Sequence, residues 1–76
     1  MTAERVETLE AELAELMSRR LALGQELEQA HFAYKSATDK AAALAVSDEI
    51  RGEILELEKE MRSKRKELEF LLEPVN

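Results

Sequence analysis

The chain has 76 residues with no cysteine, one proline and two glycines, and 37% of its residues are charged. This composition is typical of long solvated helices and excludes a disulfide framework and a cysteine-based metal site. The formal net charge of −6 argues against nucleic acid as a partner, because phosphate binding needs a basic surface. The chain has no apolar run of about 18 residues and no N-terminal basic segment leading into one, so we expect no membrane partner and a cytoplasmic location.

Residues 3–36 are predicted to form a first helix. Apolar residues recur there at alternating steps of three and four, the heptad spacing that keeps one seam facing a partner helix. The apolar seam residues of this helix are Val6, Leu9, Leu13, Leu16, Leu23, Leu27 and Tyr34. Gly24 lies inside this helix, where a glycine lowers helix stability by about 1 kcal/mol relative to alanine. It is either a tolerated surface glycine or the place where another helix approaches closely.

Residues 37–40 are predicted to form a turn. Asp39 is a good N-cap for a second helix over 40–73, because its carboxylate can accept from the free backbone N–H groups of the first turn. Ser47-Asp48-Glu49 is a second start signal, which leaves open a later start or a bend. One continuous helix of about 70 residues remains the structural alternative. Pro74 is predicted to end the second helix.

The second arm carries a heptad that mirrors the first. Its apolar seam residues are Ile50, Ile54, Leu57, Met61, Leu68 and Leu71. When the chain folds back, Val6 meets Leu71 and Leu9 meets Leu68, and the residue numbers of every such pair add up to 77. Each pair places an a position against a d position, as antiparallel packing requires. The pattern therefore predicts an antiparallel hairpin.

Both arms are apolar over a wider arc than a two-stranded coiled coil needs. The extra residues predict a second neighbour, most simply another copy of the hairpin in a four-helix bundle, or otherwise a larger client protein. The residues assigned to this partner or dimer interface are Met17, Leu21, Gly24, Phe32, Leu44, Leu55 and Leu72. Phe32 occupies an outer heptad position, where an unpaired aromatic ring is uncommon, and is the best single candidate for a partner contact.

Two cations, Arg20 and Lys64, occupy seam positions. They either control the register or lay their methylenes on the seam and reach out to nearby glutamates, and the second interpretation is favoured. The basic run 62–66 faces the acidic stretch 10–15 of the other arm, so it is interpreted as a solvated helix face rather than a nucleic-acid or membrane site. Across the arms, Glu10 is expected to pair with Arg65, and Arg19 with Glu60.

No arrangement of residues typical of nucleophilic or acid–base catalysis is present, and no cofactor is expected. Glu28 and His31 have the Glu-x-x-His spacing of di-iron carboxylate bundles, with Glu49 or Glu53 as further carboxylates in a dimer. Both lie off the seam in this register, so a metal site is the less favoured alternative.

Residues 39–50 resemble the UVR motif, a short helical hairpin of excision-repair proteins and of some chaperone-ATPase adaptors. The matching positions are Asp39, Ala43, Val46 and Asp48-Glu49-Ile50, with Leu27-Glu28 upstream. Lys40 replaces the usual aromatic residue and Ser47 the usual arginine. The resemblance implies a hairpin that docks on a larger ATPase or repair protein.

Together these patterns predict one all-α domain over residues 1–76, an antiparallel two-helix coiled coil that dimerises into a four-helix bundle. The expected function is non-enzymatic: a self-associating hairpin that binds or occludes a partner protein, as an adaptor, small chaperone or regulator does. The alternatives are the UVR-like hairpin and a ferritin-like metal-carboxylate bundle.

Overall fold

The computed structural model describes residues 2–73, which form two antiparallel α-helices. Helix α1 spans Thr2–Ser36 and helix α2 spans Lys40–Leu72, and the two pack against each other along their length. The predicted all-α antiparallel hairpin is therefore confirmed. The alternative of one continuous helix is wrong, and α2 runs through Ser47 without a break. Pro74 lies outside the described residues.

The turn over residues 37–39 is held by one cap at each side. Asp39 has an extended backbone, and its Oδ1 accepts a hydrogen bond from the backbone N–H of Ala42 at 3.1 Å, which confirms the predicted N-cap. Lys40 reaches back and donates to the carbonyl oxygens of Tyr34 and Lys35, at the carboxyl end of α1. Its Nζ also lies 4.6 Å from the centre of the Tyr34 ring. A cation at this end complements the helix dipole and satisfies carbonyls that have no partner in α1.

The core is a single seam between the helices. Its buried apolar side chains are Leu9, Leu13, Leu23, Ile54, Leu57 and Met61. Leu16, Leu27, Ile50 and Leu68 are half-buried and pack against this cluster, while Val6 and Leu71 are half-buried near the open end of the hairpin. All of them occupy the heptad positions that the sequence assigns to the seam. Tyr34 lies at the tip end of the seam and is 37% exposed.

The hairpin is long and thin, with extents of 61 × 17 × 14 Å. Its accessible surface is 6069 Å², whereas size scaling gives roughly 4,700 Å² for a compact monomer of the same mass. Two helices bury only one side each, so the remaining sides stay in contact with solvent. The arrangement of side chains on those sides determines what the hairpin is able to bind.

Candidate interaction surface

The heptad assigns the exposed residues to two opposite faces of the hairpin. In an antiparallel pair, the e positions of both helices flank one side of the seam and the g positions flank the other. Two contacts in the structure agree with this assignment: Arg51 and His31, both at e, approach to 2.8 Å, and Arg5 and Glu67, both at g, form an ion pair. We call the e and b positions of both helices the apolar face, and the g and c positions the acidic face.

The apolar face gathers six of the seven residues that the sequence assigns to an interface. Near the middle of the hairpin lie Met17, Leu21 and Leu55, which are 55%, 66% and 65% exposed. Leu55 lies at the same height along the hairpin as Ala22 of α1, because the two numbers add up to 77. Leu44 and Leu72 lie toward the two ends of the same face and are also exposed. The face thus carries an apolar patch at its centre with one further leucine toward each end.

Gly24 lies on the apolar face and is half-buried. A Cβ atom at this position would lie 3.1 Å from Nη1 of Arg20, one turn earlier in α1. The guanidinium group of Arg20 therefore leaves the seam and lies over the backbone of Gly24. Within one hairpin, Gly24 makes room for this cation and not for the other helix.

The acidic face carries most of the net negative charge of the chain. Its acidic residues are Glu12, Glu15, Glu26, Glu49, Glu53, Glu56, Glu60 and Glu67. Against these eight stand Arg5, Arg19 and the ammonium group of Lys64, which reaches this side from the seam. The acidic face therefore repels a second acidic face, and close contact between two copies is electrostatically easier through the apolar face.

The apolar face is nearly balanced in charge. Its acidic residues are Glu7, Glu10, Glu28, Asp48, Glu58 and Glu69, and its basic residues are Lys35, Arg51, Arg62 and Arg65, with Arg20 reaching over from the seam. The charges surround the apolar patch on both sides along the hairpin. Such a charged border around an apolar centre is typical of protein–protein interfaces.

Ion pairs on the acidic face tie the open end of the hairpin together. Nη2 of Arg5 lies 3.0 Å from Oε1 of Glu67, and Nζ of Lys64 lies 2.6 Å from Oε2 of Glu12. The hydrogen bond from Arg5 lowers the pKa of Glu67, and the hydrogen bond to Glu12 raises the pKa of Lys64. The interpretation that Lys64 reaches out to a nearby glutamate is thus confirmed.

The expected pairs of Glu10 with Arg65 and of Arg19 with Glu60 are not among the ion pairs of residues 2–73. Flanking residues of an antiparallel pair are offset along the axis, and long side chains choose among several partners within reach. The expectation of these two specific pairs was wrong.

Besides Tyr34 at the tip end of the seam, three large apolar residues in the range 2–73 are exposed outside the apolar face. Phe32, the seventh predicted interface residue, is 75% exposed on the outer side of α1 near the tip. Val46 and Phe70 lie on the acidic face, and Phe70 is as exposed as Phe32. Sequence reasoning missed Phe70, although its c position in the heptad places it outside the seam.

The structure offers little for the metal alternative. Nε2 of His31 lies 2.8 Å from Nη2 of Arg51, so a cation already occupies the space beside this ring nitrogen. Among residues 2–73, no group of three or more histidine, aspartate or glutamate side chains is placed to hold a metal ion. Two shallow surface grooves are lined by charged side chains, Arg19 and Glu53 in one and Arg62 and Glu58 in the other.

Neither described helix has a stretch long and apolar enough to cross a lipid bilayer. Comparison of the chain with models of known protein families, with curated proteins and with solved structures found no match.

Proposed function

We propose that this chain is a non-enzymatic protein–protein interaction module, a helical hairpin that self-associates through its apolar face. The observation that carries the proposal is the concentration of Met17, Leu21, Gly24 and Leu55 in the middle of one face, while the excess acidic residues lie on the other. In this proposal the module acts in the cytoplasm. The chain has no cysteine, so its fold does not depend on the oxidising conditions that disulfides need.

The dimensions of the hairpin suit this role. The face is about as long and wide as the molecule, 61 by 17 Å, which corresponds to roughly 1,000 Å² per copy if most of it is covered. A stable interface needs about 800 Å² per partner. Face-to-face association of two hairpins therefore supplies enough area, and it completes a second hydrophobic layer that one seam alone lacks.

A dimer of this kind leaves Phe32 free. Its ring lies on the outer side of α1 near the tip, away from the apolar face. An exposed aromatic ring is a frequent anchor of protein interfaces. In the proposed module, the dimer presents two such rings to the partner protein that it binds or occludes, as an adaptor, small chaperone or regulator.

Sedimentation velocity of a Met17→Glu/Leu21→Glu variant tests self-association. Both side chains are more than half exposed in the hairpin, so the variant should keep its helical circular dichroism but sediment as a monomer. The matched control is Val46→Glu/Phe70→Glu, which replaces two similarly exposed apolar residues on the acidic face. This control should remain dimeric. If the first variant also keeps the dimer mass, the apolar face is not the interface.

A further inference from the structure

Two symmetric arrangements bring the apolar faces of two hairpins together. If the two-fold axis runs along the hairpin, both tips point the same way and α1 packs on α2 of the second copy. If the axis lies in the interface and crosses the hairpin, the tips point in opposite directions and each helix packs on its own counterpart. Because paired seam residues add up to 77, every residue has a known level along the hairpin, and the two arrangements predict different contacts.

The arrangement with both tips at one end mixes contacts of like charge and of opposite charge. Glu28 then lies within one residue of the level of Asp48 of the second copy, and Glu7 within one residue of Glu69. Three opposite-charge contacts stand against these two: Glu10 lies within two residues of the level of Arg65 of the second copy, Glu28 within two of Arg51, and Arg20, which reaches onto this face, within one of Glu58. Each contact occurs twice by symmetry, so repulsion and attraction are about equal in this arrangement and nothing in the charges favours it.

The arrangement with tips at opposite ends pairs opposite charges. With the axis between the levels of Leu21 and Leu55, Glu7 comes level with Lys35 of the second copy, and Asp48 with Arg62. Arg51 forms an ion pair with Asp48 of its own chain at 3.2 Å. In this dimer it lies near charges of both signs, so it does not favour this arrangement over the other. Electrostatic complementarity of this kind selects orientation and excludes the wrong register.

The same axis also superimposes apolar on apolar side chains. Leu21 meets Leu21 of the second copy and Leu55 meets Leu55, because each lies close to the axis. Met17 comes within two residues of the level of Gly24 of the second copy, where the backbone carries no side chain of its own and the guanidinium of Arg20 is the nearest group over it. In the other arrangement, Met17 would instead lie within two residues of the level of Glu58, so that an apolar side chain would cover a carboxylate.

We propose that two copies associate through their apolar faces in the antiparallel orientation, about a two-fold axis that crosses the hairpin between Leu21 and Leu55. This inference rests on the proposed self-association and specifies its geometry. The resulting four-helix bundle has a turn at each end, and both acidic faces point outward, away from each other.

A spin label on a Thr38→Cys variant tests the orientation. Thr38 is exposed in the turn and lies on neither face, and the chain has no other cysteine. In the antiparallel dimer the two labels are about 33 residue levels apart, or roughly 50 Å at 1.5 Å per residue. With both tips at one end, the two labels would be roughly 20 Å apart, the combined thickness of two stacked hairpins when each helix is about 10 Å across. A distance near the shorter value overturns the orientation while leaving self-association intact.

A monomer in sedimentation would overturn both proposals, so the two failures are distinguishable. A second measurement uses a short bismaleimide linker on the dimer. Leu21→Cys alone should cross-link to itself in the antiparallel dimer, because the two positions meet at the axis. With both tips at one end, Leu21 lies over Leu55, and only a mixture of Leu21→Cys with Leu55→Cys would cross-link efficiently.

Discussion

Lys64 occupies a core-facing heptad position opposite Leu13, yet its ammonium group lies 2.6 Å from Oε2 of Glu12 on the acidic face. The methylenes of the lysine cover the seam while the charge reaches water and a carboxylate. This pair links the two helices at one level only. A slipped register would separate the ammonium group from Glu12 and leave it against apolar side chains.

Reversing the charges of this pair separately and together tests its contribution. Lys64→Glu places a carboxylate beside Glu12 and near Glu60, so we expect a lower melting temperature. Glu12→Lys places a second ammonium group beside Lys64 and Arg5, and the expected direction is the same. The double variant restores an opposite-charge pair and should melt above the Lys64→Glu single variant. Strictly additive losses would show that the two groups do not interact in solution.

The ion pair of Arg5 with Glu67 predicts how stability depends on pH. The hydrogen bond from Arg5 lowers the pKa of Glu67 below its ordinary value of 4.5. A carboxylate with a lowered pKa in the folded state contributes stability above its unfolded pKa, and this contribution is lost as the pH falls through the folded pKa. We therefore expect the melting temperature to drop below about pH 4.5. In Glu67→Gln, part of this drop should disappear, and an unchanged pH profile would contradict the assignment.

Ser47 predicts a stabilising substitution. It occupies a core-facing position across from Ala30 of α1, is 1% exposed, and its Oγ has no hydrogen-bond partner among residues 2–73. A buried hydroxyl without a partner costs about 1–3 kcal/mol. Ser47→Ala removes that group, keeps nearly the same volume and favours the helix slightly, so the free energy of unfolding in urea should rise by about 1 kcal/mol. Ser63→Ala, at an exposed position of the same helix, should change it by only a few tenths of a kcal/mol.

The sequence predicted the hairpin well because its seam depends on one periodicity. Steps of three and four determine which residues are buried, and a turn at Asp39 determines which seam residues meet. One-residue differences at the helix ends, where α1 begins at Thr2 and α2 ends at Leu72, fall within the usual fraying of helix ends.

The exposed surface was harder to predict, since it depends on side chains with many rotamers. Arg5 reaches Glu67 and Lys64 reaches Glu12, whereas the heptad alone suggested pairs at Arg65 and Arg19. Long charged side chains differ by less than about 1 kcal/mol between neighbouring partners. No periodic pattern therefore selects one pair over another. Phe70 was missed for a related reason, since a single apolar residue outside the seam does not form a stripe.

The two glycines allow a matched test of the apolar face. Gly52 lies at an outer position of α2, and a Cβ there would meet no atom within 4 Å. Gly52→Ala should therefore stabilise the helix by up to about 1 kcal/mol and leave the dimer dissociation constant unchanged. Gly24→Ala gains the same helix propensity, but its methyl group stands 3.1 Å from the guanidinium of Arg20, on the face proposed to receive Met17 of a second copy.

For Gly24→Ala we therefore expect a dimer dissociation constant higher by roughly five- to tenfold, about 1–1.4 kcal/mol, measured by sedimentation equilibrium. Unfolding is best compared in the Met17→Glu/Leu21→Glu background, where dimerisation no longer adds to the apparent stability. Both glycine substitutions should stabilise that background, since Arg20 is long enough to shift its guanidinium by a few tenths of an ångström. If Gly24→Ala and Gly52→Ala leave the dissociation constant equally unchanged, no side chain of a second copy packs on Gly24.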